Sequence, residues 1–295
     1  MLADQLQKHG FTVDLLDTTK IPIKNLKNPS FVITSMIASY FKGRYDIAHG
    51  FNVPSAFAMR MARAKKKVLS IHGVFSTQVG ALHSEVLGSV AGATESQVLK
   101  WADKLTTDSL ASQKAYKEKL NMDFVYLPSP IDTSKFKDLP DVEKKENQVA
   151  YIGRDSYEKG IDILRQIEPK IKGKVVYCTN TPWSEAMSIL KSSSMLIVPS
   201  RMESLPTIIK EAFFLKIPVI ATNVGGIPEL VVDKKTGLLV SPDEPQKIID
   251  AINDLMVDED LSRSLTEAAH EFIVKNMTWE VVLPKYTELY QNLLS

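Results

Sequence analysis

The chain has 295 residues, of which 44% are apolar and 24% charged, a composition typical of a soluble globular protein long enough for two domains. The net charge of +1 creates no overall field that would favour nucleic acid as a partner. Cys178 is the single cysteine, which excludes an internal disulfide framework and indicates a reducing, cytoplasmic compartment. No apolar run approaches the roughly 18 residues of a membrane-spanning helix, and the first residues do not resemble a secretory signal.

The charge is uneven along the chain. Residues 1–138 carry a net charge of +6, whereas the remainder carries −5. The basic half predicts an anionic partner such as a membrane surface or substrate, although ordinary scatter of solvated charge explains the numbers equally well. Lys65, Lys66 and Lys67 form the densest basic patch, which either contacts an anionic membrane or solubilises the end of a helix.

The first half alternates short β-branched runs with amphipathic stretches. Strands are predicted at 11–16, 45–50, 67–73, 103–109 and 123–128. Helices are predicted at 31–42, 53–64 and 111–119. Such alternation is typical of a parallel sheet with helices on both faces.

A charged stretch at 135–148, poor in apolar residues, is the best candidate for a linker. After it, strands are predicted at 149–153, 174–178, 194–200, 217–223 and 236–241, and helices at 160–168, 184–191, 206–215, 245–256 and 278–294. We therefore predict an α/β protein with two Rossmann-like domains, at 1–138 and 149–277, followed by a last helix at 278–295. In such sheets ligands bind beyond the carboxyl ends of the strands.

Two glutamates eight positions apart, Glu203 and Glu211, follow the strand predicted at 194–200. Pro206 fits the first turn of the next helix, whose N-terminus offers free N–H groups and a partial positive charge. The pair therefore suits an anionic ligand that also carries hydroxyl groups. The alternative is that Glu203 interacts with the helix dipole and Glu211 lies on a solvated face.

Two cations, Arg154 and Lys159, follow the strand predicted at 149–153. A planar guanidinium and a compact ammonium beside one loop suit a diphosphate, although both are also common as plain surface cations. No group of histidine, cysteine and acidic residues has the spacing of a metal site, so we predict no metal and no cofactor.

A pair of glycines, Gly225 and Gly226, follows a third strand of the second half. We interpret Gly225 as a tight turn needed for packing, and leave the role of Gly226 open. His72 directly follows a strand of the first half, where an imidazole can contact a sugar hydroxyl. A lone histidine at a strand end is more often structural, and His49 has a similar setting.

The sequence "GRDSYEKG", then "VPSRMESLPTIIKEAFFLKIPVIATNVGGIPELV", then "TGLLVSP" resembles glycosyltransferase family 4, whose members are retaining enzymes of GT-B fold. The two glutamates, the Arg-x4-Lys pair and the "PVIAT…GG…E" run occur in the family's order. The similarity is dense over about residues 150–245 and weaker in "LADQLQKHGFTVDLL", "DIAHG" and "SIHG". It returns in the last helix, which in relatives crosses back onto the first domain.

The resemblance implies a metal-independent hexosyltransferase that takes a nucleotide sugar, such as a UDP- or GDP-sugar, as its donor. Arg154 and Lys159 are expected to neutralise the departing diphosphate, and Glu203 to bind hydroxyls of the transferred sugar. His72 is expected to approach that sugar from the first domain. The donor-binding set implied by the family comprises Glu211 on the ribose, the backbone N–H groups of Ser204 and Leu205, and Gly226.

The sequence also departs from the family. We expect the chain to begin at the family's first helix, without the opening strand and Gly-rich loop that contact acceptor and phosphate in relatives. Only one strand, at 174–178, separates the Arg154 loop from the Glu203 loop, where relatives have room for another strand and helix. The acceptor is open between a glycan, a lipid-linked and a small molecule. The alternative to an enzyme is a non-catalytic relative that binds a sugar nucleotide or a partner.

Overall fold

The computed structural model describes residues 1–16, 27–73 and 85–295. They form two compact units: Met1–Ser129 together with Val282–Ser295, and Pro130–Val281. Each unit contains one parallel β-sheet, so the predicted α/β class with two parallel sheets is confirmed.

The first unit contains a four-stranded sheet in the order β1-β2-β3-β4. Its elements in chain order are α1 (Leu2–Lys8), α2 (Lys27–Phe41), β1 (Arg44–Phe51), α3 (Asn52–Met61), β2 (Arg63–Ile71), α4 (Glu85–Leu99), β3 (Lys104–Thr107), α5 (Leu110–Leu120) and β4 (Val125–Tyr126). Buried β-branched and leucine side chains of β2, such as Val68, Leu69 and Ile71, supply the middle of its core.

The strand predicted at 11–16 is wrong. These residues form no regular element, and hydrogen bonds that involve side chains hold them in place of a backbone ladder. The hydroxyl of Tyr45 donates to Asp14 Oδ2 at 2.7 Å, and Lys42 Nζ donates to the carbonyl of Leu15 at 3.2 Å. A β-branched run predicts a strand only where a partner strand is available, and the described pairing of β1 is with β2.

The lysines at 65–67 do not lie at a helix end, as the sequence suggested. Helix α3 ends at Met61, Ala62 is extended, and β2 begins at Arg63. Lys65 forms an ion pair with Asp46 of β1 at 2.7 Å, while Lys67 Nζ donates to the carbonyl of Arg60. Two of the three lysines therefore already have partners within the sheet and its neighbouring helix.

The second unit contains a five-stranded sheet in the order β6-β5-β7-β8-β9. Its elements are β5 (Gln148–Ile152), α6 (Ile161–Ile167), β6 (Lys174–Cys178), α7 (Trp183–Ser192), β7 (Met195–Val198), α8 (Thr207–Phe214), β8 (Val219–Thr222), β9 (Leu238–Val240), α9 (Pro245–Val257) and α10 (Glu259–Asn276). The chain moves from β5 outward to β6 and then back to β7 on the other side of β5. The carboxyl ends of β5 and β7 therefore form the switch point at which doubly wound sheets bind ligands.

The sheet of the second unit separates two apolar clusters. Val149 and Tyr151 of β5 belong to the cluster on one face, whereas Ala150 belongs to the cluster on the other. This alternation follows from the two-residue period of a strand and explains why β5 reads as continuously apolar. A strand buried on both faces holds the residues that follow it in a fixed position.

The stretch at 135–148, predicted as a linker, packs onto the second unit. Phe136 lies in a short 3-10 turn, and its ring contacts Trp183 at 5.2 Å and Phe214 at 4.7 Å between centroids. Lys144 Nζ donates to the carbonyl of Ser193 at 3.0 Å. The division of the chain falls at Ser129–Pro130, ahead of the predicted boundary at 138, because Ile131 is buried in the core of the second unit and Phe136 packs against that core.

The last helix, α11 (Trp279–Leu294), begins in the second unit, and its residues from Val282 onward belong to the first. Within the first unit, the hydroxyl of Tyr290 lies 2.6 Å from His49 Nδ1, while His49 Nε2 lies 2.7 Å from Ser70 Oγ. The predicted return of the final helix to the first domain is therefore present.

Candidate active site

A cavity of about 210 Å³ lies in the second unit at the switch point of the sheet, where β5 and β7 end. The N-terminal turn of α8 forms another part of its wall. Its lining residues are Tyr151, Ile152, Gly153, Lys159, Ile197, Val198, Ser200, Glu203, Pro206, Thr207 and Ile208. Two of the predicted site residues, Lys159 and Glu203, are thus brought together here.

Lys159 and Glu203 form an ion pair in the cavity wall. The ammonium lies 2.6 Å from Glu203 Oε1, and the hydroxyl of Ser200 donates to the same oxygen at 2.9 Å. Both side chains are largely removed from solvent, with 21% and 10% of their surface exposed. Charges in such a setting depend strongly on one another, because a buried charge without a partner is costly.

Two glycines allow the loops around this pair to approach closely. A Cβ on Gly160 would lie 2.0 Å from the carbonyl oxygen of Pro199, and one on Gly225 would lie 1.8 Å from that of Glu203. Both have positive φ values, +67° and +54°, which L side chains rarely adopt. The packing role predicted for Gly225 is therefore present, and it acts directly on the backbone of Glu203.

The loop that carries Glu203 is fixed by Arg201. Its guanidinium binds Asp162 through two nitrogens at 2.8 Å each, and Asp243 through Nε at 2.7 Å. These hydrogen bonds, that from Asp162 first, raise the pKa of Arg201 above its ordinary value. The backbone N–H of Arg201 also donates to the carbonyl of Glu158, so the loops after β5 and β7 are joined directly. A site on fixed loops needs little reorganisation when a ligand binds.

Arg154 does not line the cavity described above. Its side chain is 70% exposed, and it pairs with Glu158 at 2.9 Å. The carbonyl of Arg154 accepts a hydrogen bond from Tyr151 at 2.7 Å, so the backbone of the residue is held near the cavity although its guanidinium points to Glu158. The two cations predicted to act together thus share one loop but have different partners.

Glu211 lies on α8, and the indole N–H of Trp183 donates to its Oε1 at 2.7 Å. Burial raises the pKa of Glu211 above its ordinary value, while the hydrogen bond from Trp183 opposes that rise. The two glutamates of the pair therefore have separate partners, Lys159 for the first and Trp183 for the second. Glu211 therefore does not lie on the solvated helix face that was its alternative interpretation.

Three other predicted donor-binding residues lie at the beginnings of helical turns. Ser204 and Leu205 precede Pro206, which caps α8, and the Ser204 hydroxyl is buried with no hydrogen-bond partner among the described residues. Gly226 precedes the short 3-10 turn Ile227–Glu229. Their roles in donor binding stay predictions.

His72 belongs to the first unit, where it follows β2. Its Nδ1 lies 2.8 Å from Asp108 Oδ2, and its backbone N–H donates to Asn52 Oδ1 at 3.0 Å. His49 has a different setting, since burial lowers its pKa to about 3 and keeps the imidazole neutral between Tyr290 and Ser70. Both ring nitrogens of His49 therefore have structural partners, and the contact of His72 with a sugar stays a prediction.

Within the described part of the chain, no group of three or more histidine, cysteine or acidic residues could hold a metal ion. Cys178 is a buried free cysteine, and burial raises the pKa of its thiol. None of the helices in the same residues is both long and apolar enough to cross a membrane.

Sequence reasoning missed three side chains that position the predicted residues: Ser200 beside Glu203, Trp183 beside Glu211, and Asp108 beside His72. Asp108 directly follows β3 and Ser200 lies two residues after β7, which is a signal that the switch-point rule could have used. Trp183 carries no such signal, because its partner lies 28 positions further along the chain.

Comparisons with known proteins show that part of the second unit is similar to glycosyltransferases. Residues 168–272 match the family Glycosyl transferases group 1. The D-inositol 3-phosphate glycosyltransferase of Corynebacterium urealyticum is 33% identical over 112 residues, which are 38% of this chain and 26% of that protein. This chain covers only 26% to 31% of the length of three curated relatives that it matches, the Corynebacterium urealyticum protein among them.

Solved structures extend the likeness to both units at the level of the fold. Sucrose-phosphate synthase from Thermosynechococcus elongatus has a TM-score of 0.78 at 20% identity, covering 99% of this chain and 91% of that one. Anabaena Alr3699/HepE in complex with UDP-glucose has a TM-score of 0.72 at 16% identity, covering 98% and 88%. The predicted GT-B fold is thereby confirmed, and the residues that match the Glycosyl transferases group 1 model lie in its second unit.

Proposed function

We propose that this protein is a retaining glycosyltransferase that moves a hexose from a nucleotide sugar to an acceptor hydroxyl. The observation that carries the proposal is the Lys159–Glu203 ion pair in the wall of a cavity at the sheet's switch point. A sugar diphosphate has anionic phosphates and sugar hydroxyls, and negative charge develops on its leaving group during transfer. The cation and the helix N-terminus at the cavity suit the phosphates and that charge, and the carboxylate suits the hydroxyls.

The diphosphate would bind beside Lys159 and the N-terminal turn of α8, which begins at Thr207. The free N–H groups and partial positive charge of that turn favour an anion. When the phosphate oxygens accept hydrogen bonds from Lys159, its partner Glu203 becomes free to accept hydrogen bonds from the sugar hydroxyls. The resting ion pair thus keeps both groups charged and oriented before the donor arrives.

The nucleoside would bind on the Glu211 side of α8. Trp183 occupies one carboxylate oxygen of Glu211, which leaves lone pairs for the two ribose hydroxyls. The backbone N–H groups of Ser204 and Leu205, together with Gly226, complete the donor site in this proposal. Arg154 would leave Glu158 and turn toward the diphosphate, a rotation open to an exposed and flexible side chain.

The chemistry follows from these contacts. The bond between the anomeric carbon and the phosphate oxygen breaks, and a bond to the acceptor oxygen forms on the same face of the sugar. The acceptor proton passes to the departing phosphate oxygen. The chain contributes charge stabilisation of the nucleoside diphosphate and positioning, and the proposal assigns these roles to cations and a helix dipole rather than to a metal.

The proposed donor is supported by structural relatives. Anabaena Alr3699/HepE, which shares the fold, has been solved with UDP-glucose, and a UDP-sugar is therefore the first donor to test, followed by a GDP-sugar. The proposed acceptor is a glycan, a lipid-linked or a small hydroxyl compound. A free buried thiol at Cys178 fits the reducing, cytoplasmic location that the sequence suggested.

One observation favours a second candidate, a relative that binds a sugar nucleotide without turning it over. The guanidinium of Arg154 is exposed and paired with Glu158 instead of facing the cavity. If that pairing persists when a donor is bound, the leaving group receives one cation rather than two.

The two candidates are separated by incubating the purified chain with a panel of labelled nucleotide sugars. An enzyme should hydrolyse one donor slowly without acceptor and should bind the corresponding nucleoside diphosphate. Binding without hydrolysis, and without transfer to any hydroxyl acceptor, would support the non-catalytic candidate. Absence of both would contradict nucleotide-sugar binding altogether.

A further inference from the structure

The imidazole of His72 is held from three directions within the first unit. Its Nδ1 lies 2.8 Å from Asp108 Oδ2, and its backbone N–H donates to Asn52 Oδ1 at 3.0 Å. Its ring lies nearly parallel to that of Phe51, with an angle of 14° and 6.1 Å between centroids. Phe51 in turn stacks on His49 at 4.3 Å. These contacts give the ring a defined place, although 31% of the His72 side chain stays exposed.

The carboxyl group of Asp108 is buried, with 7% of the side chain exposed, and it has few partners. Its Oδ1 has no hydrogen-bond partner among the residues that the structure describes, and neither has the hydroxyl of Thr107 beside it. Burial of a carboxylate is unfavourable unless hydrogen bonds or an opposite charge compensate it. A buried polar atom without a partner therefore calls for an explanation beyond packing.

The neighbouring elements do not supply that explanation. Asp108 stands between β3 and α5, but the N-cap of α5 is Ser109, whose hydroxyl accepts a hydrogen bond from the N–H of Ser112 at 3.2 Å. Tyr286 of α11 is also close, since the charge of Asp108 adds to burial in raising the pKa of its phenol to about 12. No hydrogen bond within the described part of the chain joins the two, so the partner of the carboxylate there is His72.

The contact with Asp108 decides which nitrogen of His72 carries the proton. A carboxylate only accepts hydrogen bonds, so a ring nitrogen 2.8 Å from one of its oxygens must be protonated. In the neutral imidazole the other nitrogen, Nε2, is then a bare acceptor. Nothing in the described ranges occupies Nε2, whose natural partner is a hydroxyl that can donate a hydrogen bond.

We propose that Asp108 is a positioning residue, which holds the His72 ring with its proton on Nδ1 and offers Nε2 to a hydroxyl of the transferred sugar. This role rests on the proposed sugar transfer, for which His72 is the expected contact from the first domain. Asp108 itself touches no substrate in this account. It fixes the orientation and the tautomer of the group that does, as a buried carboxylate behind an imidazole can.

The first measurement needs no variant. Long-range proton–nitrogen correlation spectra report which ring nitrogen is protonated in each neutral histidine, and His72→Gln assigns the signal of His72. At alkaline pH we expect the His72 proton on Nδ1 in the wild type, and we expect Asp108→Asn to move it toward Nε2. The signals of His49 should not change, because its ring nitrogens face Tyr290 and Ser70 instead.

The second measurement is hydrolysis of UDP-glucose and of GDP-glucose. Asp108→Asn should lower turnover of the accepted donor about tenfold, because the imidazole loses its fixed orientation. Affinity for the nucleoside diphosphate alone should stay the same, since that molecule lacks the transferred sugar. In the His72→Gln background Asp108→Asn should have no further effect on turnover, because a residue that acts through another has no role once the other is gone.

Asp123→Asn is the matched control. Asp123 belongs to the same unit and pairs with Lys117 at 2.9 Å, but its side chain is exposed. This variant should leave the tautomer of His72 and turnover unchanged. Circular dichroism should be the same for both asparagine variants.

Two results would overturn the role of Asp108: a His72 proton on Nε2 in the wild type, or an equal loss of turnover from Asp108→Asn with and without His72. A different result would contradict the proposed function. If the wild type carries the proton on Nδ1 but hydrolyses neither donor, the sugar transfer fails, and the role of Asp108 in turnover fails with it. The spectra thus separate a failure of positioning from a failure of the enzyme assignment.

Discussion

The backbones of Gly225 and Glu203 meet so closely that a Cβ on the glycine would lie 1.8 Å from the carbonyl oxygen of the glutamate. The loop after β8 therefore supports the loop after β7, which carries the carboxylate of the cavity. Because φ of Gly225 is +54°, the close approach and the left-handed backbone depend on the same residue.

Gly225→Ala should accordingly damage both stability and the site. We expect a loss of about 1–3 kcal/mol in the free energy of unfolding from strain and overpacking, with weaker donor binding because Glu203 is displaced. The measurement is chemical denaturation followed by nucleoside diphosphate titration. Gly43→Ala is the control, since a Cβ there meets nothing within 4 Å; equal effects of the two changes would remove the supporting role of Gly225.

The free energy of unfolding should fall more when one partner of the Lys159–Glu203 pair is replaced than when both are. Lys159→Met leaves the Glu203 carboxylate largely buried without its cation. The free energy of unfolding should fall by about 1–3 kcal/mol, which is less than for a fully buried pair because both side chains keep some contact with solvent. Lys159→Met/Glu203→Gln should recover part of that stability while sugar transfer stays lost. Thermal or denaturant unfolding measures the first effect, and donor hydrolysis measures the second.

The control for that cycle is the exposed pair of Lys247 and Glu244, 2.7 Å apart. Lys247→Met should change the free energy of unfolding much less than Lys159→Met and leave turnover unchanged. If the two single lysine variants behaved alike, the pair in the cavity would be an ordinary surface ion pair.

Glu211→Ala should weaken nucleoside diphosphate binding by about 1–3 kcal/mol, because ribose hydroxyls would be left unpaired. Isothermal titration calorimetry measures the change directly. Glu185→Ala, on the neighbouring helix α7, serves as a control because it removes a carboxylate but leaves the hydrogen bond between Trp183 and Glu211 in place. An unchanged affinity in Glu211→Ala would exclude Glu211 from the donor site.

The raised pKa of Glu211 predicts that stability and donor affinity both depend on pH. The folded-state pKa of Glu211 is raised by burial, so its contribution to stability is present below its unfolded-state pKa and is lost as pH rises through the folded-state value. Glu211→Gln should therefore be stabilised relative to wild type at neutral pH and lose that advantage in acid. Donor affinity of the wild type should fall in acid as the carboxylate is protonated.

Arg154→Ala should separate turnover from stability. The guanidinium is exposed, and its pair with Glu158 is worth at most about 1 kcal/mol in stability. If Arg154 turns to the departing diphosphate, turnover should drop by more than that pair can explain, about tenfold or more. Arg165→Ala is the matched control, because Arg165 is also exposed and pairs with Asp155 on the same loop. Equal turnover of the two variants would remove Arg154 from the proposed catalytic residues.

Much of the fold was predictable because buried parallel strands read as short β-branched runs. Strands β5 to β9 and the helices between them lie where the pattern placed them, within a few residues. The failure at 11–16 has the opposite cause: an alternating pattern fixes which side chains are half-buried but not whether a partner strand exists. Helix α4 was missed because two glycines, at 88 and 92, weaken its pattern. The 18-residue helix α10 was overlooked although Leu265, Ala269 and Ile273 have helical spacing.

The candidate site was predictable to a smaller extent. The positions of Lys159 and Glu203 after strands follow from the switch-point rule, but their contact spans 44 positions and appears only in the folded chain. The opposite outcome for Arg154 arises locally, since Glu158, four positions further along the same loop, pairs with its guanidinium. Spacing in sequence identifies which residues stand at the edge of the sheet, whereas packing decides which of them face the cavity.

The central claim is that the cavity at Lys159 and Glu203 holds the diphosphate of a sugar donor. A crystal structure of the chain with a bound nucleoside diphosphate tests it most directly. The account predicts Lys159 Nζ at about 3 Å from a phosphate oxygen, with the phosphates at the N-terminus of α8 and the carboxylate of Glu203 released from its ion pair. A diphosphate bound elsewhere, with the Lys159–Glu203 pair intact at 2.6 Å, would contradict it.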